Sequence, residues 1–447
     1  MGTGSPLSNE APTRLARRLG PADAIVIGLG SMIGAGVFAA FGPAAEAAGA
    51  GLLLGLALAG AVALCNAVSS ARLAAVYPES GGTYVYGRER LGPFFGYLAG
   101  FGFVVGKIAS LTAMALTFGL YALPAHARPL GIAAVAALTA VNLLGVTKTA
   151  GLTRAIVAGV IATLAFVVAA SLLAGEPDSA RLDPLWPDSG LHGVLASAGF
   201  LFFAFAGYAR IATFGEEVRD PERTIPRAIV AALAITLALY AAVAASILLV
   251  LGADGVAEAA APLARAVEES GAGGLTHVVR AGAALAALGV ILSLLAGVSR
   301  TVFAMAAAGD LPRQLAAVHT TRRVPHVAEL TVGAAVIVVV SLADLRSAIG
   351  FSSVTVLAYY AIANAAAFTL PAGRLARAVP VLGFAGCCTI ALALPATTVA
   401  AGLGVLAAGA LLYAARGSAR GTASSAPPGG SRRSAGACRP RRPRRRP

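Results

Sequence analysis

Four small residues, Gly30, Ser31, Gly34 and Gly36, fall in the middle of an apolar run at 24–48, AIVIGLGSMIGAGVFAAFGPAAEAA. The run is long enough to cross a bilayer. Glycine disfavours a helix by about 1 kcal/mol per residue relative to alanine, and a freed N–H or C=O finds no water in hydrocarbon. Such an interruption makes sense where bare peptide groups face a solute. Discontinuous helices near the bilayer midplane hold charged solutes in this way. The Gly30/Gly34 spacing also serves close packing of two membrane helices, and on this stretch alone both readings stand. A nucleotide-binding loop does not: G-x-G-x-x-G would need glycine at position 33, where Ile33 sits without a surrounding βαβ pattern.

A second stretch has the same character. Residues 194–214, VLASAGFLFFAFAGYARIATF, form a short apolar run with a small, weakly helical centre at Ala204–Tyr208, and Glu216-Glu217-Val218 follow it. It comes five apolar runs after the first. Two interrupted spans at matching places in two halves are the sequence mark of an inverted-repeat transporter.

Composition sets the frame for both. Of 447 residues, 58% are hydrophobic and only 12% charged, against roughly 25% charged in soluble domains. The chain reads as an all-α integral membrane protein. The first run is as long as a spanning helix and ends without a clear cleavage site, so a cleaved signal peptide is not expected. Cys65, Cys387, Cys388 and Cys438 form no CxxC, and His319 and His326 are the one close histidine pair, so neither a disulfide framework nor a metal site follows. Ten of the 34 lysines and arginines behind the +14 net charge lie in 416–447. That Pro/Arg/Ser/Gly tail reads as disordered and lying against anionic lipid, not as a nucleic-acid arm.

About twelve runs of spanning length follow one another, near 24–48, 51–76, 94–121, 129–145, 152–174, 194–214, 228–251, 277–307, 328–344, 347–370, 378–395 and 397–414. The last two also fit a re-entrant hairpin. With the N-terminus inside, sixteen lysines and arginines fall in cytoplasmic segments and five in external loops. This positive-inside bias predicts a multi-pass protein of the cell membrane with both termini cytoplasmic. The expected organisation is a cytoplasmic segment at 1–22, a transporter domain at 23–415 and a tail at 416–447. Within the domain, repeat one spans 23–175, repeat two 193–371, and trailing helices 378–415.

The blocks GLGSMIGAGVF, FFAFAGYARIATFGEEVRDPERTIPRAI and SRTVFAMAAAGDLPRQLAAVH with PHVAEL resemble, in order and spacing over about 20–415, the amino acid–polyamine–organocation (APC) permeases, including the cationic amino acid transporter branch. The resemblance implies a LeuT-type fold: about twelve transmembrane helices, two inverted five-helix repeats with helices 1 and 6 broken, and two trailing helices. It implies transport of an amino acid or amine by alternating access, with a proton or exchange favoured over sodium as driving force, and no cofactor. By position it places a substrate carboxylate at the amides of Ser31, Met32, Ile33, Gly34, Ala35 and Gly36. The substrate amine meets carbonyls at Phe203, Ala204 and Ala206, beside Gly207.

The chain departs from that pattern in places. The fifth span carries no lysine where the cationic branch has one; Val160 or a neighbour stands there. Lys107, inside the third span, is an intramembrane charge and hence a functional candidate, either for proton coupling or simply bonded to a carbonyl. Arg210 lies just past the second interruption, able to disfavour cationic substrates or to pair with Glu216 or Glu217 one to two turns on. Ser293 and Ser299 could serve a sodium-like site or bond back to their own helix. Glu216, Glu217 and Arg223 are gating candidates, and Glu46 is an outer-gate or interfacial residue. Ala307-Ala308 replace the Arg-Asp that precedes the loop glycine in relatives, which questions their usual salt bridge. No loop is large enough for a membrane enzyme, and Lys107 and Arg210 do not make a continuous channel. A non-transporting sensor or accessory subunit is the alternative.

Overall fold

A computed structural model describes residues 20–77, 81–145, 150–207, 218 and 220–424. The described chain is helical, joined by turns and short loops. In order, the helices are α1 (Pro21–Met32), α2 (Gly36–Ala39), α3 (Phe41–Ala48), α4 (Leu52–Val76), α5 (Thr83–Leu91), α6 (Pro93–Ala122), α7 (Ala127–Leu143) and α8 (Ala150–Leu173). There follow α9 (Gly190–Phe205), α10 (Pro221–Glu258), α11 (Pro262–Val267), α12 (Thr276–Ala307), α13 (His326–Leu342), α14 (Leu345–Phe368), α15 (Arg374–Leu392) and α16 (Ala396–Ser424).

Eight helical segments are long and apolar enough to cross a membrane, which makes this a multi-pass membrane protein. Gly190–Phe205, His326–Leu342 and Ala376–Leu392 are apolar but shorter. A helix of 16 residues such as α9 rises about 24 Å, short of a hydrocarbon core of about 30 Å.

At the centre lies α6, against α14, α12, α7 and α5. Close approach, not bulk, builds this core: a Cβ on Gly131 of α7 would stand 2.7 Å from the Ala115 carbonyl oxygen of α6. In lipid, where apolar surface has no water to escape, such backbone contact supplies much of the packing energy.

Polar contacts fix the ends. The Asp344 side chain caps α14, accepting from the Ser347 N–H at 2.9 Å. Tyr84 Oη, on α5, donates to Asp310 Oδ2 at 2.7 Å, and Arg88 Nη2 pairs with the same oxygen at 2.6 Å. Arg416 of α16 donates to the Asp310 backbone carbonyl. Burial first, then the bond to Asp310, pushes the Tyr84 phenol above its usual range. Ala307-Ala308 bring no charge to this loop, but Asp310, just past the loop glycine Gly309, which turns with φ +78°, carries an ion pair of its own.

Partial burial raises the Asp344 carboxyl pKa, but hydrogen bonds led by the Ser347 N–H outweigh it and hold the pKa below its ordinary value. A depressed carboxylate contributes stability present above its unfolded pKa, about 4, and lost as pH falls through the folded one. Asp344→Ala is expected to lower stability by about 1 kcal/mol at neutral pH, and Asp344→Asn to keep most of the cap while flattening the acid limb. Thermal unfolding of detergent-solubilised protein at neutral and acid pH checks both.

Candidate functional site

The first helix is anchored at its start, where the Gly20 N–H donates to Asp23 Oδ2 at 3.2 Å and Asp23 pairs with Arg154 of α8. It ends at Met32. Ile33 leaves the helical region (φ −76°, ψ 71°) while its N–H still donates to Leu29 O at 2.6 Å, and the Gly34 N–H turns back to Met32 O at 2.8 Å. The helix restarts at Gly36 and runs through a bend at Ala40 into α3. The other segment, α9, stops at Phe205, after which the Ala206 N–H reaches Phe203 O at 3.4 Å and the Gly207 N–H reaches Phe205 O at 2.7 Å.

The two breaks touch. A Cβ on Gly36 would lie 2.9 Å from Ala204 Cα, and one on Gly207 would overlap the Ser31 carbonyl. Interruption and close packing therefore occur together at the early glycines. Gly30 and Gly34 do admit neighbours, since their Cβ positions meet Val157 of α8 and Val290 of α12, and the helix is nonetheless interrupted from Ile33 to Ala35.

Side chains from three other helices converge on the carbonyls bared there. Tyr240 Oη of α10 lies 2.8 Å from Met32 O and 3.3 Å from Ala204 O. Lys107 Nζ of α6 donates to Ala206 O at 3.4 Å, and Tyr360 Oη of α14 donates to the same oxygen at 3.4 Å. Lys107 is 8% exposed, its ammonium 5.9 Å from the centre of the Phe103 ring. None of the four ion pairs among the described residues includes it.

The six amides differ in what they can offer. Ser31 and Met32 sit in the last turn of α1, with Ser31 Oγ donating to Ile27 O at 2.8 Å. Ile33 and Gly34 spend their N–H groups on Leu29 and Met32. Among the described residues, the N–H groups of Ala35 and Gly36 remain at the restart, where a helix has no internal acceptor for them. On the other segment Phe203 and Ala204 are buried and Ala206 and Gly207 half-buried.

Beside the first break lies a cavity of about 20 Å³ lined by Gly30, Ile33, Thr153, Ile156, Val157, Ala286, Gly289 and Val290, room for one water. Val160 is buried on α8. Ser293 Oγ bonds to Gly289 O and Val290 O, and Ser299 Oγ to Leu295 O, each back to its own helix. Arg210, Glu216 and Glu217 lie outside the described residues. Arg223 is exposed in the first turn of α10, away from the junction's bonds, its N–H on Asp220 O at 3.0 Å. Glu46 is ion-paired with Arg346, both half-exposed.

Sequence reasoning passed over Tyr240 and Tyr360. The available signal was a tyrosine inside an apolar run, whose hydroxyl needs a partner once buried.

Comparison with known proteins agrees with this architecture. The family model described as "Amino acid permease" matches residues 23–412. The chain therefore belongs to the amino acid permease family of the APC superfamily, whose members are transporters and not enzymes. An uncharacterized transporter of Mycobacterium tuberculosis is 60% identical over 409 residues, 91% of this chain and 93% of its own. The branched-chain amino acid permease BcaP of Bacillus subtilis is 26% identical over 70% of this chain and 72% of its own. Human cationic amino acid transporter 4 is 28% identical over 79% of this chain and 59% of its own.

Replacing Tyr240 by Phe leaves buried carbonyls at both breaks without their hydroxyl partner. The expected loss is about 1–2 kcal/mol of stability, read by thermal or denaturant unfolding of the purified protein. A variant as stable as the parent would show that the hydroxyl does not hold the junction.

Proposed function

We propose that the chain is a secondary permease that moves an amino acid or related amine across the cell membrane by alternating access. The observation that carries the reading is the contact between two interrupted helices, with Gly36 against Ala204 and Gly207 against Ser31. Irregular backbone at membrane depth persists only where it is enclosed in protein or lines a solute path. Side chains of α6, α10 and α14 meet the bared carbonyls here, and in this reading the solute enters by parting the breaks.

In this reading the chain has twelve spans, with α1–α3 and α9 as the broken first and sixth. Repeat one occupies 23–175, repeat two 193–371 and the trailing helices 378–415. Both termini are cytoplasmic, as the basic loops favour. The Ala35 and Gly36 amides, at the positive end of the restarted helix, receive a carboxylate. Phe203, Ala204, Ala206 and Gly207 form the opposite wall. Lys107 is the group placed to change its partners as the breaks part, with a proton or an exchanged solute as the driving species.

Proteoliposomes carrying the full chain are expected to take up at least one radiolabelled amino acid against protein-free vesicles. Gly36→Val, which forces a branched side chain into the Ala204 backbone, is expected to reduce that uptake at least tenfold while the protein still elutes as a single species. Absence of flux for every amino acid and polyamine, under proton, sodium and exchange gradients alike, would favour a sensor or accessory role.

A further inference from the structure

Three of the carbonyls bared at the junction already have side-chain donors. Met32 O and Ala204 O face the Tyr240 hydroxyl, and Ala206 O receives both Lys107 and Tyr360. Left over are the amides of Ala35 and Gly36 and the remaining protons of the Lys107 ammonium, which has three.

The charge is equally one-sided. Lys107 lies midway along a spanning helix, 8% exposed, with no carboxylate within ion-pair distance among the described residues. Among the described residues its contacts are a neutral carbonyl at 3.4 Å, shared with a tyrosine and long for a charged donor, and the face of the Phe103 ring at 5.9 Å. A buried cation with so little compensation calls for an anion.

From this we infer that Lys107 selects the substrate, and that the substrate class is the acidic amino acids, which carry two carboxylates and one amine. The inference rests on the permease reading and specifies its solute. One carboxylate meets the Ala35 and Gly36 amides. The second takes Lys107 away from Ala206 O, with Tyr360 able to follow, and that carbonyl then becomes an acceptor for the substrate's ammonium. A neutral amino acid leaves Lys107 beside its ammonium with nothing between them. A cationic one places two like charges in a medium where repulsion is weakly screened. The relatives' printed names, a branched-chain permease and a cationic transporter, fix no common substrate, so charge at this site is free to decide it.

The test is uptake of radiolabelled glutamate, leucine and arginine into proteoliposomes carrying the full chain, with unlabelled aspartate as competitor. Glutamate uptake is expected to be saturable, blocked by aspartate, and preferred over arginine on the order of tenfold or more. Lys107→Gln is expected to abolish that preference, Lys107→Arg to retain it, and Lys107→Glu to admit arginine, a gain that loss of structure cannot produce. Wild-type selection needs no variant to fold. Leucine or arginine crossing without glutamate, or glutamate preference surviving Lys107→Gln, overturns the inference and leaves the permease reading intact. If no amino acid crosses at all, both fall.

Discussion

A peptide group released from a helix inside hydrocarbon must find a partner in the protein, and most of this structure follows from that requirement. Two helices stop short, at Met32 and Phe205, and the carbonyls they bare are met by Tyr240, Lys107 and Tyr360 from α10, α6 and α14. A bared carbonyl left without any partner in hydrocarbon costs several kcal/mol, and these three side chains supply donors where the helices end. The breaks therefore dictate which helices surround them and what those helices carry.

Small residues make the arrangement possible. Gly36 and Gly207 let one break lie directly on the other, and Gly30 and Gly34 let α8 and α12 close the side. A glycine pair that loosens a helix and a glycine pair that packs it are usually treated as rival explanations. Here Gly30 packs within the helix while Gly34 both packs and lies in the break, because the interrupted backbone is sterically thin enough for its neighbours to seal.

The interruptions were readable in the sequence because glycine and serine in an apolar run contradict the local helix preference, and a contradiction stands out. Lys107 was readable for the same reason, as a charge where none is tolerated without purpose. Tyr240 and Tyr360 were not, since a tyrosine fits an apolar helix and only the tertiary fold reveals which carbonyl its hydroxyl faces. Asp310 escaped notice because it sits one place after the loop glycine, and attention fell on Ala307-Ala308 before it. The six amides from Ser31 to Gly36 looked equivalent on paper. Their hydrogen bonds separate them, because a helix end turning through Ile33 consumes its own donors before it releases any.

Tyr240 holds both breaks with a hydroxyl that has a single proton. It donates fully to one carbonyl at any instant, and the distances of 2.8 Å to Met32 and 3.3 Å to Ala204 show which one holds the closer claim. The seam between the two breaks is therefore fastened by a latch that is never fully engaged on both sides. A small separation of the breaks would give up the longer bond first and leave the tyrosine with the α1 segment.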